Sequence, residues 1–207
     1  EDMRISFDSK KLKFFIGDTR DKQSLYPAME GADIVFHAAA LKQVPSCEFF
    51  PIQAIQTNVL GAQNIVEVAE NSKVSIVVGL STDKAVYPIN VMGMTKALME
   101  KIFLSRGRMY ASPTRFMVTR YGNVMGTRGS VIPLFIKQIK ENKPITITDP
   151  GMTRFMMSLD DAMILVEEAI IKDKDGVIYV RKAPACTLKN LARALQNIFN
   201  VNDNIII

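Results

Sequence analysis

Two hydroxyls, a carboxylate and an amine stand in unbroken succession at Ser81-Thr82-Asp83-Lys84, directly behind the most apolar stretch of the chain, residues 74–80. In a parallel sheet the crevice beyond the strands' carboxyl ends is where ligands bind. A hydroxyl, an acid and an amine are thus delivered to that crevice together. The same four residues also describe a solvated turn in which Asp83 and Lys84 pair. Lys96 lies on the helix expected to begin after Asn90, four residues beyond Met92, so the two side chains share one face and Lys96 can reach back to the same crevice.

Three further segments put ligand-grade groups behind strands. Ala38-Ala39-Ala40 follow residues 33–37, and such small side chains allow close approach of a bulky ligand or of a packed helix. His37, the only histidine, reads as a structural strand-end residue rather than a base. Arg120-Tyr121-Gly122-Asn123-Val124 offers an amide and a tight backbone turn. Thr148-Asp149-Pro150-Gly151-Met152-Thr153-Arg154-Phe155 brings an arginine whose planar fork matches a diphosphate.

Positioning these groups requires short apolar strands alternating with helices. Strands are expected at residues 13–16, 33–37, 74–80 and 116–119, with shorter ones near 145–147 and 177–180. Helices are expected at 52–70, 91–110, 132–142, 159–172 and 188–200, with Asn90, Ser158 and Thr187 as caps of the second, fourth and fifth. Strands apolar on both faces belong to a parallel sheet covered on each side. The fold class is therefore α/β, a parallel sheet with crossover helices. Gly122, Gly126, Gly129 and Pro133 mark a change to a loop-rich part, which divides the chain into residues 1–123 and 124–207.

The 207 residues, 48% apolar and 23% charged, are enough for one sizeable core in a globular protein. The net charge of +5 is scattered and no basic block is interleaved with aromatics, so an anionic small molecule is expected as partner and nucleic acid is not. Cys47 and Cys186 have no further Cys or His at ligand spacing, which points to a reduced cytoplasmic protein without a metal. No apolar run approaches the roughly 20 residues of a membrane span, and no signal peptide opens the chain. The start on Glu1 and the finish on Ile205-Ile206-Ile207 read as cut ends. No strand is followed by the glycine-rich turn that takes a dinucleotide's pyrophosphate; Gly126 and Gly129 follow a late strand with the wrong spacing.

Six blocks stand in order: Gly17-Asp18-Thr19-Arg20-Asp21, His37-Ala38-Ala39-Ala40-Leu41-Lys42, Thr57-Asn58-Val59-Leu60-Gly61, Leu80-Ser81-Thr82-Asp83-Lys84-Ala85, Arg120-Tyr121-Gly122-Asn123-Val124 and Met152-Thr153-Arg154-Phe155. Together they resemble the extended short-chain dehydrogenase/reductase superfamily over nearly the whole chain. Within it the chain is similar to the bacterial UDP-N-acetylglucosamine 4,6-dehydratases of capsule, O-antigen and flagellin-sugar pathways, the CapD/CapE-like polysaccharide biosynthesis proteins. The resemblance implies an NAD(P)-binding, Rossmann-like doubly wound parallel sheet truncated at both ends. Residues 1–123 would be a partial dinucleotide-binding domain with the catalytic residues, and 124–207 a partial nucleotide-sugar part interleaved with the last strands and helices. It further implies NADP or NAD as cofactor, UDP-N-acetylglucosamine or a related UDP-sugar as substrate, and a dimeric or hexameric full-length parent.

In such enzymes the cofactor takes a hydride from C4 of the sugar, the 4-keto group acidifies the C5 proton, water leaves from C6, and the hydride returns there. By this resemblance Lys84 is the base at C5, Asp83 the acid at the C6 hydroxyl, and Thr82 the hydrogen-bond partner of the C4 oxygen. Such a lysine must be neutral part of the time and such an aspartic acid protonated, and burial favours both. Lys96 binds the nicotinamide ribose and stabilises negative charge. Asp18 and Thr19 border the adenine. Ala38, Ala39, Ala40, Asn58, Leu80, Ser81 and Tyr121 line the cofactor. Lys42, Asn123, Ser130, Val131, Thr148, Met152 and Arg154 face the UDP-sugar. One departure stands out: the superfamily usually has tyrosine four residues before the helical lysine, and here that position is Met92. A thioether cannot take the C4 proton. Methionine there also occurs in the 5-inverting dehydratases, which favours that subgroup over the alternative, a UDP-hexose 4-epimerase. A second alternative is a catalytically silent fragment that at most binds a UDP-sugar.

Overall fold

The computed structural model describes residues 2–7, 9–109, 112–127, 129–172, 174–201 and 205–206. The expected helix end at Tyr110 and the terminal Glu1 and Ile207 lie outside them. In chain order the strands are β1 (Ile34–His37), β2 (Ile76–Thr82), β3 (Arg115–Tyr121), β4 (Asn123–Val124), β5 (Ile145–Thr146), β6 (Thr153–Met157), β7 (Ile178–Val180), β8 (Ala185–Thr187) and β9 (Ile205–Ile206). The main sheet runs β1-β2-β3-β7, parallel throughout, beside a β4-β6-β8 sheet and a β5-β9 pair.

Both faces of the main sheet are dry. Val77, Phe116 and Val118 turn one way, onto Ile65, Val66, Met99 and Phe103 of α1 (Gly61–Asn71) and α2 (Val91–Gly107). Ile76, Val78 and Met117 turn the other way, onto Ala162, Leu165 and Val166, which lie beyond α3 (Val131–Lys140) on α4 (Leu159–Lys172). Each fully buried valine or phenylalanine there contributes roughly 1.5–3 kcal/mol. Residues 124–207 thus supply β7 and α4 to the main sheet as well as the smaller sheets, α3 and α5 (Leu188–Phe199).

The helix starts follow side-chain chemistry. Asn90 Oδ1 accepts from Gly93 N at 2.8 Å. Thr187 Oγ1 accepts from Asn190 N at 3.2 Å. Ser158 Oγ accepts from Asp161 N at 3.0 Å and donates to the Asp161 carboxylate at 2.7 Å, a reciprocal cap. Helix α5 stops at Asn200 in a left-handed conformation, φ 53°.

Two expectations are corrected. Residues 13–16 form no strand and join none of the sheets among the described residues, and Ile16 is exposed. An apolar run becomes a strand only where a neighbour takes its backbone hydrogen bonds. The single helix expected at 52–70 is broken into Pro51–Ile55, a π turn at Gln56–Leu60, and α1.

The first turn of α2 presses on the turn after β2. A Cβ added at Gly93 would stand 2.3 Å from the Lys84 carbonyl oxygen. Because that atom is backbone, Gly93→Ala should destabilise the protein by about 1–3 kcal/mol in urea denaturation. Wild-type stability in this variant would mean that the helix and turn are not packed as described.

Candidate functional site

The seven-residue β2–β3 ladder pairs Ser81 with Arg120 and Thr82 with Tyr121, so the two strands end side by side. Alternation sends Ser81 and Arg120 to the α2 face and Thr82 and Tyr121 to the α4 face. Beyond Thr82 a single 3₁₀ turn, Asp83–Ala85, is closed by Thr82 Oγ1, which accepts from Lys84 N at 3.3 Å and donates to Asp83 Oδ1 at 2.9 Å. Lys84 Nζ meets the same Asp83 oxygen at 3.1 Å.

This turn opens onto a cleft of about 370 Å³ lined by Asp83, Lys84, Tyr87, Asn123, Arg154 and Phe155. Asn123 Oδ1 is buried there without a hydrogen-bond partner. Arg154 sits on β6 with Nη1 donating to the Thr153 carbonyl at 2.8 Å. Two cations, one carboxylate and an unengaged amide oxygen suit an anionic ligand bearing hydroxyl or N–H donors. The burial expected for the acid and the amine is only partial: their side chains are 30% and 38% exposed, because the turn lies at the cleft mouth.

A second zone lies behind the first. Lys96 is 6% exposed, with Nζ 3.1 Å from Met99 Sδ. Burial pushes it down to about 8, with the Glu100 carboxylate acting in the opposite sense. His37, 3% exposed and stacked on Phe103, has no partner for Nε2; burial, then the Lys96 charge, pushes it down to about 3. From the π turn the buried Asn58 accepts from Leu41 N at 2.8 Å and donates to the Leu41 carbonyl at 2.9 Å and Thr95 Oγ1 at 3.0 Å. Asn58 thereby ties the loop after β1 to α2, and a π turn at such a spot often marks function. Ala38 and Ala39 in that loop are exposed and Ala40 is half-buried.

The other expected site residues are more dispersed. Arg20 donates to the Asp18 carboxylate and holds it at about 2. Thr19 hands its carbonyl to Asn64 Nδ2 at 2.8 Å and packs on Gly61. Ser130 and Val131 line another cavity of about 540 Å³ with Leu134 and Lys137, and Ser130 Oγ is buried without a partner. Met152 packs on the Phe135 and Leu188 cluster, Leu80 packs on the α4 side, and Lys42 and Thr148 are exposed. Tyr121 turns inward and donates its hydroxyl to the Ala162 carbonyl at 2.7 Å, so its ring works in the core. Ser81 is likewise spent on Glu100, at 2.6 Å. Met92 is 5% exposed in a cluster with Cys47 and Ala54, a packing residue at the position where a tyrosine would act.

Residue type and spacing assign no site role to Tyr87, Phe155 or Glu100, although Phe155 closes one of the six blocks. Tyr87 projects into solvent at the cleft rim from a left-handed backbone, φ 48°, and nothing in the local sequence marks that conformation. Glu100 did carry a signal: it lies four residues past Lys96, hence on the same face.

The family model described as polysaccharide biosynthesis protein matches residues 1–206. The chain belongs to this family. It is 58% identical over 206 residues to a Rickettsia bellii protein named UDP-glucose 4-epimerase, covering 99% of this chain and 60% of that one. A Rickettsia prowazekii protein of the same name is 60% identical over 200 residues, with 96% and 59% covered. The family member described here thus spans about 60% of the length of these curated relatives. The crystal structure of Pen from Bacillus thuringiensis superposes with a TM-score of 0.92 at 40% identity, covering 99% of this chain and 66% of that one. DesIV, a dTDP-glucose 4,6-dehydratase from Streptomyces venezuelae, superposes at 0.87 with 22% identity over 96% of this chain and 68% of its own, which speaks for the fold alone. That fold is the extended short-chain dehydrogenase/reductase fold, as the motif order implied. Among the described residues no helix is long and apolar enough to cross a membrane, and no acidic, histidine and cysteine groups cluster as a metal site.

The two buried bases set a pH dependence. Both bind fewer protons folded than unfolded, so stability falls as pH drops from 10.5 toward 8 through Lys96 and from 6.5 toward 3 through His37. Between pH 7 and pH 5, His37 alone should cost about 2 kcal/mol. In chemical denaturation at the two pH values, His37→Phe should lose that much less than wild type. Equal losses would mean that folded His37 protonates as readily as a free imidazole.

Proposed function

We propose that the cleft performs the acid-base steps of a UDP-sugar 4,6-dehydration. Its substrate in the full-length protein is UDP-N-acetylglucosamine, with inversion at C5, on the way to a bacterial surface polysaccharide or glycan. The observation that carries this reading is the Asp83–Lys84 contact of 3.1 Å at the mouth of a cleft whose other wall holds Asn123 and Arg154.

One proton shift along that contact converts the ion pair into a neutral amine and a carboxylic acid, the two species the elimination needs. Exclusion of water by bound substrate favours the shift, because the neutral pair carries no desolvation cost. Lys84 then takes the C5 proton as Asp83 gives its proton to the departing C6 hydroxyl, and water leaves. The ion pair is restored; a proton taken up from solvent at C5 on the opposite face, matched by the C4 proton released to solvent, would complete the balance and the inversion. Thr82 orients Asp83 through the 2.9 Å hydrogen bond and lies next to the C4 oxygen. Met92, enclosed in its apolar cluster, takes no part, so the C4 proton would leave through Thr82 or a water, or through Lys84 only where Lys84 passes it on to solvent before the C5 step. Arg154 and Asn123 hold the diphosphate.

NADP or NAD supplies reversible hydride acceptance at C4. The residues present fit part of such a dinucleotide: the exposed Ala38 and Ala39 leave room at the end of β1, and the buried Lys96 stands on the α2 face of the neighbouring strand. The glycine-rich pyrophosphate cradle is not among the 207 residues.

The names of the Rickettsia relatives favour a second reading, a 4-epimerase. An epimerase has no step that requires the Asp83–Lys84 pair, and this is why dehydration is preferred. Incubation of the full-length protein with UDP-N-acetylglucosamine should give a 4-keto-6-deoxy sugar by NMR. A C4 epimer formed without loss of water would establish the second reading, and unreacted sugar would sink both. In deuterated water Lys84→Ala should abolish deuterium entry at C5. Asp83→Asn should slow dehydration by about 10²–10⁴-fold.

A further inference from the structure

Glu100 lies one turn beyond Lys96 on α2 and is 3% exposed. Its Oε1 accepts from Ser81 Oγ at 2.6 Å and Arg120 Nε at 2.8 Å, and its Oε2 accepts from Arg120 Nη2 at 2.6 Å. Ser81 and Arg120 are register partners, the last residues on the α2 face before β2 and β3 end. One buried carboxylate therefore closes both strand ends onto the helix that carries Lys96. The Asp83–Lys84 turn begins two residues past Ser81, and Asn123 lies three past Arg120, so both walls of the cleft spring from this junction.

We propose that Glu100 is the positioning residue of the candidate site, joining α2 to the ends of β2 and β3 and supplying the counter-charge that Lys96 faces. The proposal rests on the reading of Lys96 and the Thr82–Lys84 turn as working parts. From β1, His37 is neutral over the working pH range. From β3, Arg120 is held bidentately by Glu100. Asp83 and Lys84 pair with each other at the mouth. On α2 itself, Met99 gives Lys96 only a thioether. Glu100 is thus the anion acting on Lys96, and Arg120 decides how much of its charge Lys96 feels.

A pH titration of the Lys96 Cε resonance by NMR, assigned with Lys96→Met, tests this through a sign difference. Glu100→Gln keeps a hydrogen-bonding side chain and removes the charge, and should lower the Lys96 midpoint by roughly half a unit or more. Arg120→Met leaves Lys96 as the remaining cation beside Glu100 and should raise it. A purely structural role predicts no such opposition. Displacement of both midpoints in one direction, or of neither, in protein with native circular dichroism overturns the proposal. If Glu100→Gln does not fold, Arg120→Met decides alone, an upward shift supporting the proposal and an unchanged midpoint refuting it. The titrations require no turnover. Opposite shifts in a protein that forms no dehydrated sugar would remove the dehydratase reading and keep Glu100's role, whereas an active dehydratase with an unmoved Lys96 would remove Glu100 alone.

Discussion

The parallel ladder between β2 and β3, paired from Ile76 with Arg115 through Thr82 with Tyr121, is the constraint from which the site follows. Because the strands run in the same direction and end level, their loops emerge as neighbours. Alternation then sorts the last residues: Ser81 and Arg120 face the helix bearing Lys96, and Thr82 and Tyr121 face α4. A slip of one residue would exchange these sets, bury the Thr82 hydroxyl against α2, and turn the Ser81–Glu100 contact out toward α4. The dry packing of Val77, Val78, Phe116 and Met117 deeper in the sheet forbids that slip.

Electrostatically the site is layered. At the mouth, Asp83 and Lys84 stay within reach of water as an ion pair. One layer in, Lys96 and His37 are stripped of water, and the Glu100 carboxylate offsets part of the cost for Lys96. Glu100 itself tolerates burial because Arg120 and Ser81 satisfy both of its oxygens. The arrangement places an accessible ion pair at the cleft mouth and the buried charges behind it.

Legibility in the sequence tracked how much of an element's stability is local. The strands at 33–37, 74–80 and 116–119 and the helices from Val91, Leu159 and Leu188 announce themselves by apolar runs, spacing and caps, and all form within a few residues of expectation. Residues 13–16 carry an equally apolar run and form no strand, since a strand depends on a neighbour that the run itself cannot specify. The two- to five-residue strands β4, β6, β8 and β9 were not foreseen, because each gains its order from a partner and none is long enough to show a period. The π turn around Asn58 was hidden for a related reason: it is selected by Asn58's bonds to Leu41 and Thr95, far away in the chain.

Within the site, residue type and order alone determined the α/β class, the family, and the grouping of Ser81, Thr82, Asp83 and Lys84 behind a buried strand with Lys96 on the next helix. These are properties of contiguous segments, written in local spacing. Only the tertiary structure decided which of those side chains reach a cleft. Asp83, Lys84, Asn123 and Arg154 converge on one, whereas Ser81 and Tyr121 are spent on Glu100 and the Ala162 carbonyl, and Met92 is packed away with Cys47. The physical reason is that direction and burial depend on pairing register and on partners distant in sequence, and neither is encoded in the identity of a residue or of its immediate neighbours.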